Sequence, residues 1–193
     1  MKILKSLLKI LGLYKEKKVI VDVLEQQRIV EDFRMSDKIA RTIFSPFNFK
    51  KNKQNLFTKA TLNKSAFETP PDIDEVSVNR LDYTTSHNLK YLSKLIDIPT
   101  DDNRNYCGIA IIDVSEIISV NANIVYTPTY IDNVNIANFP NPFHSDIKIG
   151  YVKERGIPLP QEYSYKANKM TEICRYYPDP NPNEENWVGD VLS

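Results

Sequence analysis

Residues 106–114, YCGIAIIDV, are a dense apolar run of strand length. Such a run predicts a central strand in a sheet covered on both faces. Residues 75–83, EVSVNRLDY, alternate instead: Val76, Val78 and Leu81 to one side, Ser77, Asn79 and Asp82 to the other. That period of two predicts a half-buried strand. HSDIKIGYV, residues 144–152, alternates likewise, and residues 122–126 form a short strand closed by Thr127-Pro128. Phe44, Phe47 and Phe49 are spaced like half of a strand, with Pro46 arguing for an edge or entry position. Leu89, Leu92, Leu95 and Ile96 have helical spacing, after N-cap candidates at 84–87 and before Pro99. Residues 115–118 read as a short helix or turn, residues 161–177 as a helix, and residues 19–42 as a second helix or helical linker. The fold class expected is α+β, a mixed, mainly antiparallel sheet with flanking helices and an N-terminal amphipathic helix. Five glycines and no strict βαβα alternation disfavour a doubly wound fold. The chain divides into a helical segment, 1–42, and one α+β domain, 43–193, with an acidic tail from about residue 178.

Formal charge is zero, with 25 Lys+Arg against 25 Asp+Glu, but it is segregated. Residues 1–18 hold six lysines and one glutamate, for +5. Residues 38–67 hold seven cations and no acid, for +7. Residues 68–102 hold eight acids and three cations, for −5, and the last 18 residues hold four acids and no Lys or Arg, for −4. Either these blocks screen one another, or the basic surface meets phosphate. The basic stretch also interleaves Phe44, Phe47, Phe49, Phe57 and Phe67 with Lys50, Lys51 and Lys53. Aromatics beside cations are the physics of nucleotide and single-strand binding, although Phe is more often core.

At the N-terminus, Ile3, Leu4, Leu7, Leu8 and Leu11 make one helical stripe, with Lys2, Lys5 and Lys9 mostly to the other side. Lys9 interrupts the apolar run and no small-residue cleavage site follows, so no secretory signal is expected. Nor is there a transmembrane run. The expectation is a cytoplasmic protein whose residues 1–18 dock on the domain, on a protein partner, or peripherally on a membrane. Cys107 and Cys174 then read as reduced thiols.

No metal site, P-loop, nucleophile elbow or dinucleotide fingerprint is present. Three fragments could carry chemistry. Arg80 lies within a strand and must find a carboxylate, with Asp82 and Asp146 as candidates, or clamp a phosphate. His144 is either structural or a general acid/base oriented by Asp146, two residues on and on the same face. Tyr83, Thr85 and Ser86 offer hydroxyls or backbone N–H groups at a helix N-terminus, where anions bind.

FSPFNFKKNK, EVSVNRLDYTT, YCGIAII, NPFHSDIKIGY and YYPDPNPNEENW resemble a family of small uncharacterised bacterial proteins of defence or conflict gene neighbourhoods, over roughly residues 41–188. The resemblance implies a context of antiviral defence or toxin–immunity type. A second, weaker likeness is to the ADP-ribosyltransferase-like fold. It implies NAD as cofactor or substrate, held by Arg80 or Tyr83, with His144 or Asp146 acting at the late strand. This chain departs from that pattern: TIFSPFNF offers only Ser45 where that family has His or Arg, and the late strand lacks its Glu. With no cofactor otherwise expected, three functions follow. The first is binding of a phosphate-bearing anion through Arg80 and His144 beside the basic segment. The others are an enzyme acting on NAD, and a non-enzymatic partner-binding or immunity protein.

Overall fold

The computed structural model describes residues 29–50, 57–96, 104–128 and 141–193. The expected N-terminal amphipathic helix, Lys51, Lys53 and most of the 129–143 loop lie outside these residues. The architecture is α+β. One six-stranded sheet comprises β1 (Lys38–Ser45), β2 (Val76–Arg80), β3 (Asn105–Asp113), β4 (Asn123–Tyr126), β5 (His144–Lys148) and β6 (Arg175–Pro178). Helices α1 (Ser86–Ile96), α2 (Val114–Ser119) and α3 (Gln161–Ile173) accompany it. The strand order is β4-β5-β2-β1-β3-β6, and every neighbouring pair is antiparallel.

The apolar run at 106–114 is β3, interior as expected, between β1 and β6. Ala110 and Ile112 join Ile39, Ile43, Val76, Val78 and Ile147 on one face. There they pack against Ile117 of α2, Ala167 and Met170 of α3, and Leu62, Ala66 and Phe67. Ile109 and Ile111 point the other way, to Ala40, Leu89 of α1 and the half-buried Trp187 and Leu192. Trp187 thus anchors the returning tail, because an indole gains most when its apolar body is covered.

Several boundaries differ from the pattern reading. Residues 38–42, assigned to the helical segment, are strand. β1 is interior rather than an edge, and Pro46 follows it as an exit. Ile39 and Ala40 are buried on opposite faces, because the sheet is covered on both sides at β1. β5 stops at Lys148 because the Asp74 carboxylate accepts from Ile149 N and Gly150 N, both at 3.0 Å, and Gly150 turns at φ 89°. Residues 175–177, read as helix, belong to β6, paired with β3. Three of the five phenylalanines in the basic stretch face inward: Phe49 and Phe67 are buried, and Phe57 packs on Phe49 with ring centroids 5.1 Å apart.

Gly108 lets β6 close on β3. A Cβ there would stand 2.5 Å from Tyr177 O and 2.8 Å from the Tyr176 ring. Gly108→Ala should therefore push β6 outward and cost about 1–3 kcal/mol, the usual price of overpacking. A urea midpoint equal to that of the parent protein would contradict this close packing.

Candidate functional site

The four proposed catalytic residues do not converge; the strand period separates them. Arg80 is in step with Val76 and Val78, on the core face of β2. His144 and Asp146 pair in register with Asn79 and Ser77, so they share the opposite face.

Arg80 is fully buried and its carboxylate is Asp37, not Asp82 or Asp146. Nη2 donates to Asp37 Oδ2 at 3.0 Å and to Asp32 O at 3.2 Å, and Nη1 donates to Val30 O. Its guanidinium stacks on Phe33 at 4.3 Å and on Tyr83 at 4.6 Å. The Tyr83 hydroxyl accepts from Val30 N at 3.3 Å. Arg80 and Tyr83 thus hold the chain that enters β1. Asp82 instead accepts from Lys38 N at 3.1 Å. Thr85 Oγ1 accepts from Asn88 N at 3.2 Å at the start of α1. Thr85 and Ser86 line a separate groove with Lys38, Asp82, Trp187 and Asp190, away from His144.

The other two residues form a unit with Thr127. Thr127 Oγ1 donates to Asp146 Oδ2 at 2.6 Å, and His144 Nδ1 stands 3.0 Å from both Thr127 O and Thr127 Oγ1. A carbonyl only accepts, so Nδ1 carries the hydrogen. His144 Nε2 is 3.9 Å from Asp146 Oδ1, outside hydrogen-bond reach. The ring is therefore oriented by Thr127, and the buried Asp146 acts on it through the threonine. Thr127 closes β4 in sequence, which gave no sign of this role.

His144 lines a cavity of about 240 Å³ on this polar face, with Arg41, Thr42, Phe44, Phe47, Ser77, Asn79, Arg104 and Asn141 among its walls. None of the described residues that line it is acidic. β1 and β2 pair only at Ile39↔Arg80 and Ala40↔Asn79. In the opening beyond, the Arg41 guanidinium replaces the ladder: Nε donates to Ala66 O at 3.1 Å and Nη1 to Ser77 O. Burial, together with the like charge of Arg104, presses Arg41 down to about 10, against an opposing pull from Asp146. It remains a cation at neutral pH. Arg41, Arg104 and His144 thus meet at a cavity whose described lining holds no acid, which places charge-assisted donors around it.

Arg41 and Arg104 were not among the expected site residues. Arg41 falls in the stretch that the pattern assigns to the helical segment, so only the strand seen in the structure makes it an in-line arginine. Arg104 follows a stretch outside the described residues and carried no pattern. Of the expected basic ligands, Lys50 is exposed at the end of the turn after β1. Lys59 and Lys64 turn toward α3, to Cys174 Sγ at 3.1 Å and Ser164 Oγ at 3.0 Å. Both cysteines are free, and burial pushes the Cys174 thiol up. Among the described residues no cluster of three His, Cys, Asp or Glu side chains is placed to hold a metal. No helix among them is long and apolar enough to cross a membrane.

No protein-family model, no curated protein and no solved structure matches the chain.

Proposed function

We propose that the protein binds a small phosphate-bearing anion in the cavity between β1, β2 and β5, through Arg41 and Arg104 with His144 at its wall. The observation that carries this reading is a cavity whose described lining brings Arg41, Arg104 and His144 together with no carboxylate among them. A bound phosphate would accept charge-assisted hydrogen bonds from planar guanidinium groups. His144, held by Thr127 with Nδ1 protonated, offers Nε2 as an acceptor when neutral and a donor when charged. Arg80 and Tyr83 are committed to Asp37 and residues 30–32, so the anion-clamping role passes from Arg80 to Arg41.

The test is calorimetric titration of the full chain with inorganic phosphate, paired with thermal melts. Phosphate should raise the melting temperature, since a ligand of the native state stabilises it by mass action. Arg104→Gln should weaken binding about tenfold or more, the loss of one hydrogen bond to a charged group worth about 1.5–3 kcal/mol. Arg41→Lys, which keeps the charge but not the fork, should also weaken it. Phosphate affinity unchanged in both variants, or no binding by the parent protein at millimolar phosphate, would remove the site.

A further inference from the structure

The cavity has an aromatic rim that phosphate alone does not need. Phe47 is 47% exposed although large and apolar. Its backbone is held firmly. Phe47 O accepts from Ser65 Oγ at 2.8 Å. The next residue, Asn48, is 2% exposed, accepts from Phe44 N at 2.9 Å and donates to Ser65 Oγ at 3.2 Å. Asn48 N also closes the turn onto Phe44 O at 2.9 Å. An exposed ring on a pinned turn is a preorganised surface, with little ordering left to pay on binding.

The Arg104 guanidinium lies 4.1 Å from the Phe47 ring centroid. One planar cation therefore touches both the anion cavity and the ring. Behind it, Asn141 Nδ2 donates to Asn79 Oδ1 at 2.7 Å, placing neutral amides on the cavity wall. At about 240 Å³, the cavity is smaller than the roughly 300–1,000 Å³ that encloses a drug-sized ligand. It suits one end of such a ligand, with the rest lying on the rim.

Resting on the anion reading above, we infer that the ligand is a nucleoside monophosphate, its phosphate between Arg41 and Arg104 and its base stacked at Phe47. Every base has a π-face, so stacking on an exposed aromatic needs no hydrogen-bond code. Arg104 can serve both ends, because guanidinium groups pair with phosphate and stack on aromatic planes. A free nucleotide is favoured over a nucleic-acid strand because the cations and aromatics described for residues 57–67 are turned into the fold. Lys59 and Lys64 are spent against α3, and Phe49, Phe57 and Phe67 pack inward.

The experiment compares inorganic phosphate, ribose 5-phosphate, adenosine and uridine monophosphates, and a short 5′-phosphorylated oligonucleotide. Each is titrated into the full-length protein and its Phe47→Leu and Phe47→Tyr variants. The mononucleotides should bind the parent protein about tenfold or more tightly than ribose 5-phosphate. Phe47→Leu should abolish that preference, so that mononucleotides and ribose 5-phosphate bind it alike, and Phe47→Tyr should preserve it. Phosphate binding with no preference for nucleotides over ribose 5-phosphate overturns the inference and leaves the anion site standing. So does a Phe47→Leu variant that keeps the preference. Tighter binding of the oligonucleotide than of the mononucleotides overturns it in favour of a strand. Absence of binding by every probe overturns both readings.

Discussion

Arg80→Ala should destabilise the protein by about 3–5 kcal/mol, because it strands Asp37 without its cation. Arg80 has no exposed surface, and the Asp37 side chain is 12% exposed. The loss extends beyond the pair. Asp32 O and Val30 O lose their donor, and Phe33 and Tyr83 lose the cation stacked on them. Asp37 also accepts from Arg34 N at 3.1 Å, and its carbonyl accepts from Val114 N at 2.9 Å. The segment leading into β1 is therefore tied to α2 through the same residue. Lysine should rescue only part of the loss, since one ammonium cannot span the sites the guanidinium fork reaches. Urea denaturation reads the change directly. Stability within about 1 kcal/mol of the parent protein, with phosphate binding lost, would return Arg80 to the role of ligand clamp.

Lys90→Ala should be of similar size and should act at the other end of the chain. Lys90 and Asp179 form an ion pair at 2.8 Å with neither side chain exposed. The same ammonium donates to Asn181 O at 2.8 Å and Asn186 O at 2.9 Å, so the tail is wrapped around it. Lys94, one helical turn on, donates to Asn183 O at 2.8 Å. Removing Lys90 leaves a buried carboxylate without its cation and two carbonyls without that donor, again at about 3–5 kcal/mol. The Tyr106 phenol, pushed up by burial and by Asp179, offers that carboxylate no compensating positive charge. Trp187 is the only tryptophan, so its emission reports the tail alone. The Lys90→Ala variant should show red-shifted emission and a lower urea midpoint. The double variant Lys90→Met with Asp179→Leu should recover much of the stability, because apolar residues of similar volume need no partners. An unshifted Trp187 spectrum in Lys90→Ala would show that the tail is held by other contacts.

These two cations show where reading the chain succeeds and where it stops. Lys90 is a charged position in an amphipathic helix, and its sequence neighbourhood predicts a solvated face. It is buried because a segment some 90 residues later returns over it, which no local pattern can report. Arg80 was more legible than its first reading suggested. Its step with Val76 and Val78 already places it on the core face, and only the identity of its carboxylate was hidden. His144 and Asp146 were read as one unit on one face, and the period of two guarantees that placement. The threonine that joins them lies just past the end of β4.

The kind of fold and much of its layout are legible in the chain. The apolar run of β3, the alternation of β2 and β5 and the amphipathic spacing of α1 follow from side-chain periodicity, a local property of the chain. The gathering of cations in residues 38–67 is legible there too. Only the tertiary structure decided which of those cations reach a cavity. Arg41 and Arg80 are both in-line arginines on core-facing strand positions. One meets Asp37 and becomes part of the core. The other meets the opening where β1 and β2 part, and lies beside Arg104. Charge is written in the sequence, but its partner is chosen by what the fold brings within a few ångströms, where the low dielectric of the interior makes the pairing count.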